Sequence, residues 1–137
     1  MRAVGIPVAT DSVPQVVASA DLAPPAPDWV QESLPERLAL KQQAFAAIEP
    51  LIGSETIIAS SSSGLSPDEM GQGMANPGRV VIAHPCNPSH LMPVVELCGG
   101  SATPAAVLDR AVAAFEAMGK TVLRMNRQLP GHLVNRL

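Results

Sequence analysis

The sequence predicts an α/β fold in which a parallel sheet is flanked by helices. Three observations predict it. Short Val- and Ile-rich runs recur between residues 29 and 125, as buried strands do. Stretches with helical spacing lie between them, and clusters of Pro, Gly, Asn and Ser separate the two kinds of segment. Such alternation implies helical crossovers joining parallel strands.

Taken in order, residues 1–27 stand apart. Prolines at 7, 14, 24, 25 and 27 fix φ and remove N–H donors, and Gly5 is the single glycine there. This segment reads as a poorly ordered Pro-rich lead-in, with Val13 to Val17 as its one strand-like piece. Trp29-Val30 then reads as a short strand. Ser33-Leu34-Pro35-Glu36 opens a helix, because a serine N-cap, an early proline and a glutamate at the third position make a capping box. Leu38, Phe45 and Ile48 fall near one face of it, with Ala44 and Leu51 alongside, and Gly53-Ser54 ends the unit. Thr56 to Ala59 is a buried strand, and Ser60 to Gly64 a turn. Ser66-Pro67-Asp68-Glu69 repeats the capping signature for a short helix that Asn76-Pro77-Gly78 terminates. Arg79 to Ala83 and Pro93 to Cys98 are two further strands. Thr103-Pro104 starts the longest helix, with Val107, Ala111, Ala114 or Phe115, and Met118 in step and Gly119 as its stop. Thr121 to Met125 is the last strand.

Composition narrows the function by exclusion. The chain has 137 residues, enough for one domain with a real core. With 47% apolar and 15% charged residues it is not a disordered sequence. A net charge of −3 offers no basic stripe for nucleic acid or anionic lipid. No apolar run approaches the roughly 18–20 residues of a membrane span, and the first residues lack a signal-peptide pattern. Two cysteines, Cys86 and Cys98, argue against a disulfide framework and for a reducing cytoplasm.

Three polar positions interrupt the apolar strands where open α/β sheets place their sites. They are the run Ser60 to Ser63, the segment His84-Pro85-Cys86-Asn87-Pro88, and Glu96 within Val94-Val95-Glu96-Leu97. A glutamate inside an apolar strand needs a partner, because an unpaired buried charge is very costly. His84 is the candidate, and a His–Glu pair would suit a general base. Plainer readings stand beside this one: a structural histidine, a Glu96 facing water from an edge strand, and a serine run that is only a loop. A metal site at His84, Cys86 and His90 matches no zinc module's spacing. A serine hydrolase built on Ser63 and His84 would lack the G-x-S-x-G elbow.

Five stretches together resemble the NAD-binding domain of 3-hydroxyacyl-CoA dehydrogenases. Residues 30–41, VQESLPERLALK, are similar to that family's V-x-E-x-x-P-E-x-x-x-x-K. Residues 59–65, ASSSSGL, are similar to A-S-N-T-S-S-L, and residues 84–88, HPCNP, to H-F-F-N-P. Residues 93–97, PVVEL, resemble the V-E strand that follows, and residues 130–137, PGHLVNRL, match P-G-F-x-x-N-R-L. The matches fall in order across residues 28–137, and look most like the branch holding lambda-crystallin (L-gulonate 3-dehydrogenase) and the carnitine dehydrogenases.

The resemblance implies a Rossmann-like parallel sheet and an NAD-dependent oxidation of a 3-hydroxyl to a ketone. It implies that His84 is the general base and that Glu96 orients and charge-stabilises it. Ser63 and Asn135 would hydrogen-bond the reacting oxygen or the nicotinamide end. Glu36, Lys41, Ser63 and Asn87 would line the cofactor groove, with no metal. The substrate would be a small 3-hydroxy acid or a 3-hydroxyacyl-CoA, with no nucleic acid or membrane partner, and the full-length relative would be a homodimer.

Such a domain opens with a strand, G-x-G-x-x-G, a helix, and then an acidic residue for the ribose. Nothing upstream of Asp28 matches that pattern. The expectation is therefore a partial Rossmann-like sheet with its first β-α-β unit missing: residues 1–27 lead-in, 28–129 the second part of the NAD-binding domain, and 130–137 the start of a C-terminal helical domain. Two readings follow, a fragment of such a dehydrogenase that is inactive alone, or a non-catalytic remnant or interaction module lacking NAD binding.

Overall fold

A computed structural model describes residues 27–127, 129 and 131–136. The lead-in up to residue 26, with its strand-like Val13 to Val17, lies outside the described residues. The elements are β1 (Trp29–Glu32), α1 (Leu38–Ile48), β2 (Ile57–Ser60), α2 (Pro67–Met70), β3 (Val80–Pro85), β4 (Val94–Gly99), α3 (Ala105–Ala117) and β5 (Thr121–Arg124). Single 3-10 turns follow α1, precede β3, and close the described chain at Val134–Arg136.

The strands form one sheet in the order β1-β2-β3-β4-β5. β1, β2 and β3 run parallel, and so do β4 and β5, but β3 and β4 are antiparallel. The sheet is thus mostly parallel, as expected, with one antiparallel pair. The link from Pro85 to Val94 holds no helix, and a parallel crossover needs roughly a dozen residues or more. A tight reversal is the shorter path, and it lays His84 directly opposite Glu96 in the register.

Side-chain alternation sorts the core onto two faces. On one, Ile58, Val80, Ile82 and Cys98 pack with Leu38, Phe45 and Ile48 of α1 and Met70 of α2. On the other, Ile57, Ala59, Val81, Ala83, Val95 and Leu97 pack against Val107, Leu108, Ala111, Val112 and Phe115 of α3. Trp29 meets Phe115 edge-on, with ring centroids 5.3 Å apart. Met118, expected in the α3 stripe, is instead 62% exposed. The helix ends before it, and Gly119 at φ +75° turns the chain away toward β5.

The period of two also assigns the polar positions. Glu32, Ser60, His84 and Glu96 share the α1 face, continuing the rows of Val30, Ile58, Ile82 and Cys98 past the apolar core. The face thus changes from apolar to polar toward the carboxyl ends of β1 to β3. Glu96, on an antiparallel strand, reaches that end near the start of β4.

The two capping boxes fared differently. Ser66 and Glu69 form theirs at α2, with both reciprocal bonds present, and α2 ends at Met70, well before Asn76. The Ser33–Glu36 box does not form, and α1 starts at Leu38 with Arg37 at its N-cap. The Glu36 carboxylate is drawn to the turn after β2, where Ser62 and Gly64 donate to it.

Glu49, just past α1, ties that helix to the approach to β3. Its carboxylate accepts from the N–H groups of Ala75 and Asn76 and from Arg79, at 2.9–3.0 Å. Burial pushes its pKa up, but the donors of Ala75, Arg79 and Asn76 outweigh this and hold it below the ordinary 4.5. A depressed carboxylate adds stability above its unfolded pKa and loses it as pH falls through the folded one. Glu49→Gln should therefore cost about 1–2 kcal/mol at pH 7. In urea titrations the gap from the wild type should narrow as pH drops below 4.5; a gap that widens there would refute the assignment.

Candidate active site

Among the described residues Glu96 is the most deeply buried carboxylate, with no exposed surface. Its Oε2 lies 2.9 Å from His84 Nδ1, and its Oε1 accepts the Leu133 N–H at 2.7 Å. An ionised carboxylate only accepts, so His84 carries its proton on Nδ1 and keeps a lone pair on Nε2. That Nε2 faces Ser63 Oγ at 3.1 Å, so the hydroxyl donates to it. Ser63, His84 and Glu96 form one hydrogen-bonded row ending at the edge of the sheet. β4 is an interior strand, so Glu96 does not face water from a sheet edge, and His84 is bound at both nitrogens.

Residues 131–133 fold back over this row. Gly131 N–H donates to Ser63 O at 2.9 Å, His132 Nε2 to Ser62 O at 2.9 Å, and Leu133 N–H to Glu96. Gly131 holds φ +76° and His132 φ +51°, a left-handed pair that turns the chain sharply enough for all three contacts. The His132 ring is fully buried and its centroid is 4.7 Å from that of His84.

A second polar cluster holds the segment between β1 and α1. Lys41 Nζ reaches both Glu32 oxygens at 2.8 Å and Leu34 O at 3.0 Å. Ser60 Oγ and the Leu34 N–H also donate to Glu32. Lys41 is 1% exposed, so its ammonium faces the protein and not a groove; it shapes the loop from Glu32 to Glu36. Glu36 sits at the surface end of this cluster. Burial raises its pKa, but bonds from Ser62 and Gly64, the Lys41 charge and the Leu65 N–H lower it further, holding it ionised.

The site residues expected from sequence thus separate. Ser63, His84 and Glu96 come together. Glu36 and Lys41 join through the β1–α1 loop and touch the same serine turn. Asn87 is exposed on the β3–β4 link, and Asn135 on the turn beyond Leu133. Among the described residues no three His, Cys, Asp or Glu side chains are placed to hold a metal ion. Cys86 is buried, and burial together with the Glu96 charge pushes its thiol up, away from nucleophilic use. Sequence reasoning missed Glu32, Ser62 and His132. Glu32 had a usable signal, a carboxylate at the end of a strand with a lysine on the next helix. Ser62 had none that set it apart from its neighbours.

The row has the outline of a hydrolytic triad, but its surroundings differ. A nucleophilic serine needs N–H groups free for an oxyanion. Here the Gly64 N–H is spent on Glu36 at 2.8 Å and the Leu65 N–H on Ser62 Oγ at 3.0 Å.

The 3-hydroxyacyl-CoA dehydrogenase NAD-binding domain family matches residues 9–128. The similarity therefore begins upstream of the first motif quoted from the sequence, although no G-x-G-x-x-G occurs in the chain. An L-carnitine dehydrogenase of Nocardiopsis dassonvillei is 42% identical over 127 residues, covering 93% of this chain and 36% of its own length. One of Streptomyces coelicolor is 40% identical over 128 residues, covering 93% and 38%. The crystal structure of 3-hydroxybutyryl-CoA dehydrogenase from Escherichia coli superposes with a TM-score of 0.75 at 32% identity, over 80% of this chain and 23% of that one. The chain spans about a third of the length of the curated relatives it matches.

The buried Lys41–Glu32 pair makes a stability prediction. Lys41→Met leaves an uncompensated carboxylate and should cost about 3–5 kcal/mol by chemical denaturation. Adding Glu32→Leu to it should recover part of that loss. A double variant less stable than the sum of both single losses would show that the pair is not the linchpin of this loop.

Proposed function

This chain belongs to the 3-hydroxyacyl-CoA dehydrogenase family, through its NAD-binding domain, and from that premise we propose that it carries the proton-transfer machinery of an NAD-dependent 3-hydroxy-acid dehydrogenase. The observation that carries the proposal is the row Ser63–His84–Glu96, with its 3.1 and 2.9 Å contacts. His84 Nε2 takes the proton of the substrate's secondary hydroxyl as the ketone forms. Glu96 keeps the Nδ1 proton in place and stabilises the imidazolium that results. Ser63 exchanges its bond to Nε2 for one to the reacting oxygen. Asn135 contacts the substrate or nicotinamide end, Asn87 lines the groove, and Glu36 and Lys41 act through the loop they hold.

The chemistry of this donor set fits the reacting end of the dinucleotide. The row moves a proton, and the two free thiols, Cys86 and Cys98, are already reduced and accept no electrons. NAD supplies the hydride acceptor when bound. At its other end the fit is not carried by these residues, since G-x-G-x-x-G does not occur among the 137. The relatives' names favour a small charged 3-hydroxy acid of the L-carnitine kind over a thioester substrate. The whole protein is proposed as a homodimer in a reducing cytoplasm that keeps both thiols free.

The test is a transplant. Residues 28–136 replace the aligned segment of the Streptomyces coelicolor relative, and NADH formation is followed with L-carnitine and with 3-hydroxybutyryl-CoA. Turnover is expected, and His84→Gln should lower it by roughly 10²–10⁴-fold while NAD binding stays nearly intact. A hybrid that folds and binds NAD but turns over neither substrate would sink the proposal. In the same hybrid, Glu96→Gln added to His84→Gln should do little further harm, because the two act as one unit. A serine-directed fluorophosphonate should leave Ser63 unlabelled; stoichiometric labelling would point to hydrolase chemistry.

A further inference from the structure

His132 stands outside every role assigned so far, and three observations single it out. It is a fully buried histidine with φ +51°, a backbone conformation few residues adopt willingly. Its ring lies against the ring of His84, centroids 4.7 Å apart and planes tilted by 39°. Its Nε2 bonds Ser62 O, while its Nδ1 is buried with no hydrogen-bond partner. A carbonyl only accepts, so the proton sits on Nε2 and Nδ1 holds a bare lone pair. A buried acceptor with no donor is costly and calls for a reason.

We propose that His132 is a positioning residue for the proton-transfer row, holding Ser63 through the Ser62 carbonyl and His84 through the face of its ring. The proposal rests on the reading that His84 moves the proton. Ser62 and Ser63 are fixed by consecutive bonds from one turn, Gly131 N–H to Ser63 O and His132 Nε2 to Ser62 O. Together they set where the Ser63 hydroxyl meets His84 Nε2. The tilted His132 ring limits His84 on a side that its own two hydrogen bonds leave open, since both of those lie in the plane of the imidazole. The family motif matched in residues 130–137 has Phe at this place, which could supply the face but not the bond to Ser62.

The experiment uses the 137-residue chain labelled with nitrogen-15, with no cofactor, so it is independent of the dehydrogenase reading. Imidazole spectra should show His132 protonated on Nε2 with a pyridine-type Nδ1, and His84 protonated on Nδ1. His132→Gln keeps a side-chain donor but removes the ring, and His132→Phe keeps the ring but removes the donor. The Gln variant should shift the His84 ring-proton resonances by losing the ring current. The Phe variant should instead move the His84 Nε2 signal as the Ser63 contact loosens. His132 protonated on Nδ1 in the wild type would overturn the proposal, even if neither variant folds. So would His84 signals unchanged in both variants while the amide spectra show a folded chain.

Discussion

The constraint on which the site depends is the burial of Glu96. A carboxylate with no exposed surface, in an interior strand, is tolerable only when donors saturate it. Two of them come from opposite directions: the imidazole of the neighbouring strand and the N–H of Leu133 from the chain's far end. The first sets the His84 tautomer and so aims its lone pair at Ser63. The second pins the turn whose other bonds hold Ser62 and Ser63. Removing the carboxylate would release both at once, which is why a single buried charge organises residues some seventy positions apart in sequence.

Antiparallel pairing makes this possible. In a parallel pair His84 and a residue twelve positions later would need a helical crossover between them, and a helix does not fit in the link from Pro85 to Val94. The reversal aligns the two residues across the ladder on the same face. The parallel half of the sheet supplies the rest: β1 and β2 end side by side at Glu32 and Ser60, which bond each other, and Glu32 also bonds Lys41. Each half therefore has its own buried carboxylate, and the serine turn after β2 bridges them through Ser62, which donates to Glu36 and accepts from His132.

The strands, the two long helices and the pairing of His84 with Glu96 were legible in the sequence, because apolar runs and an isolated polar residue within one are strong local signals. What was not legible has physical causes. The direction of β4 depends on the link from Pro85 to Val94, too short for a helical crossover, which the alternation of strands and helices does not register. The Ser33–Glu36 capping box failed because Glu36 had a competing offer: the donors of the serine turn, which only tertiary structure brings near. Lys41 read as a groove residue, yet it is buried because Glu32, nine positions earlier, needs a cation. His132 carried no signal of its own, and nothing local shows that its ring reaches His84.

A serine, a histidine and a carboxylate in a row do not by themselves select a reaction. The row can strip a proton from Ser63 or from a bound hydroxyl, and what decides is the charge that the surroundings can stabilise. Attack by Ser63 on a carbonyl would build an oxyanion beside the N–H groups of Gly64 and Leu65, and both are already committed, one of them to the ionised Glu36. The negative charge of that carboxylate next to the turn would oppose an oxyanion further. Removing a proton from a substrate alcohol asks less of this turn, because the charge on oxygen is relieved as hydride leaves the carbon. Glu36 therefore does more than brace a loop. By occupying the Gly64 N–H, while Ser62 holds that of Leu65, it takes from the serine turn a donor that acyl transfer at Ser63 would need, which supports the alcohol oxidation proposed for the Ser63–His84–Glu96 row.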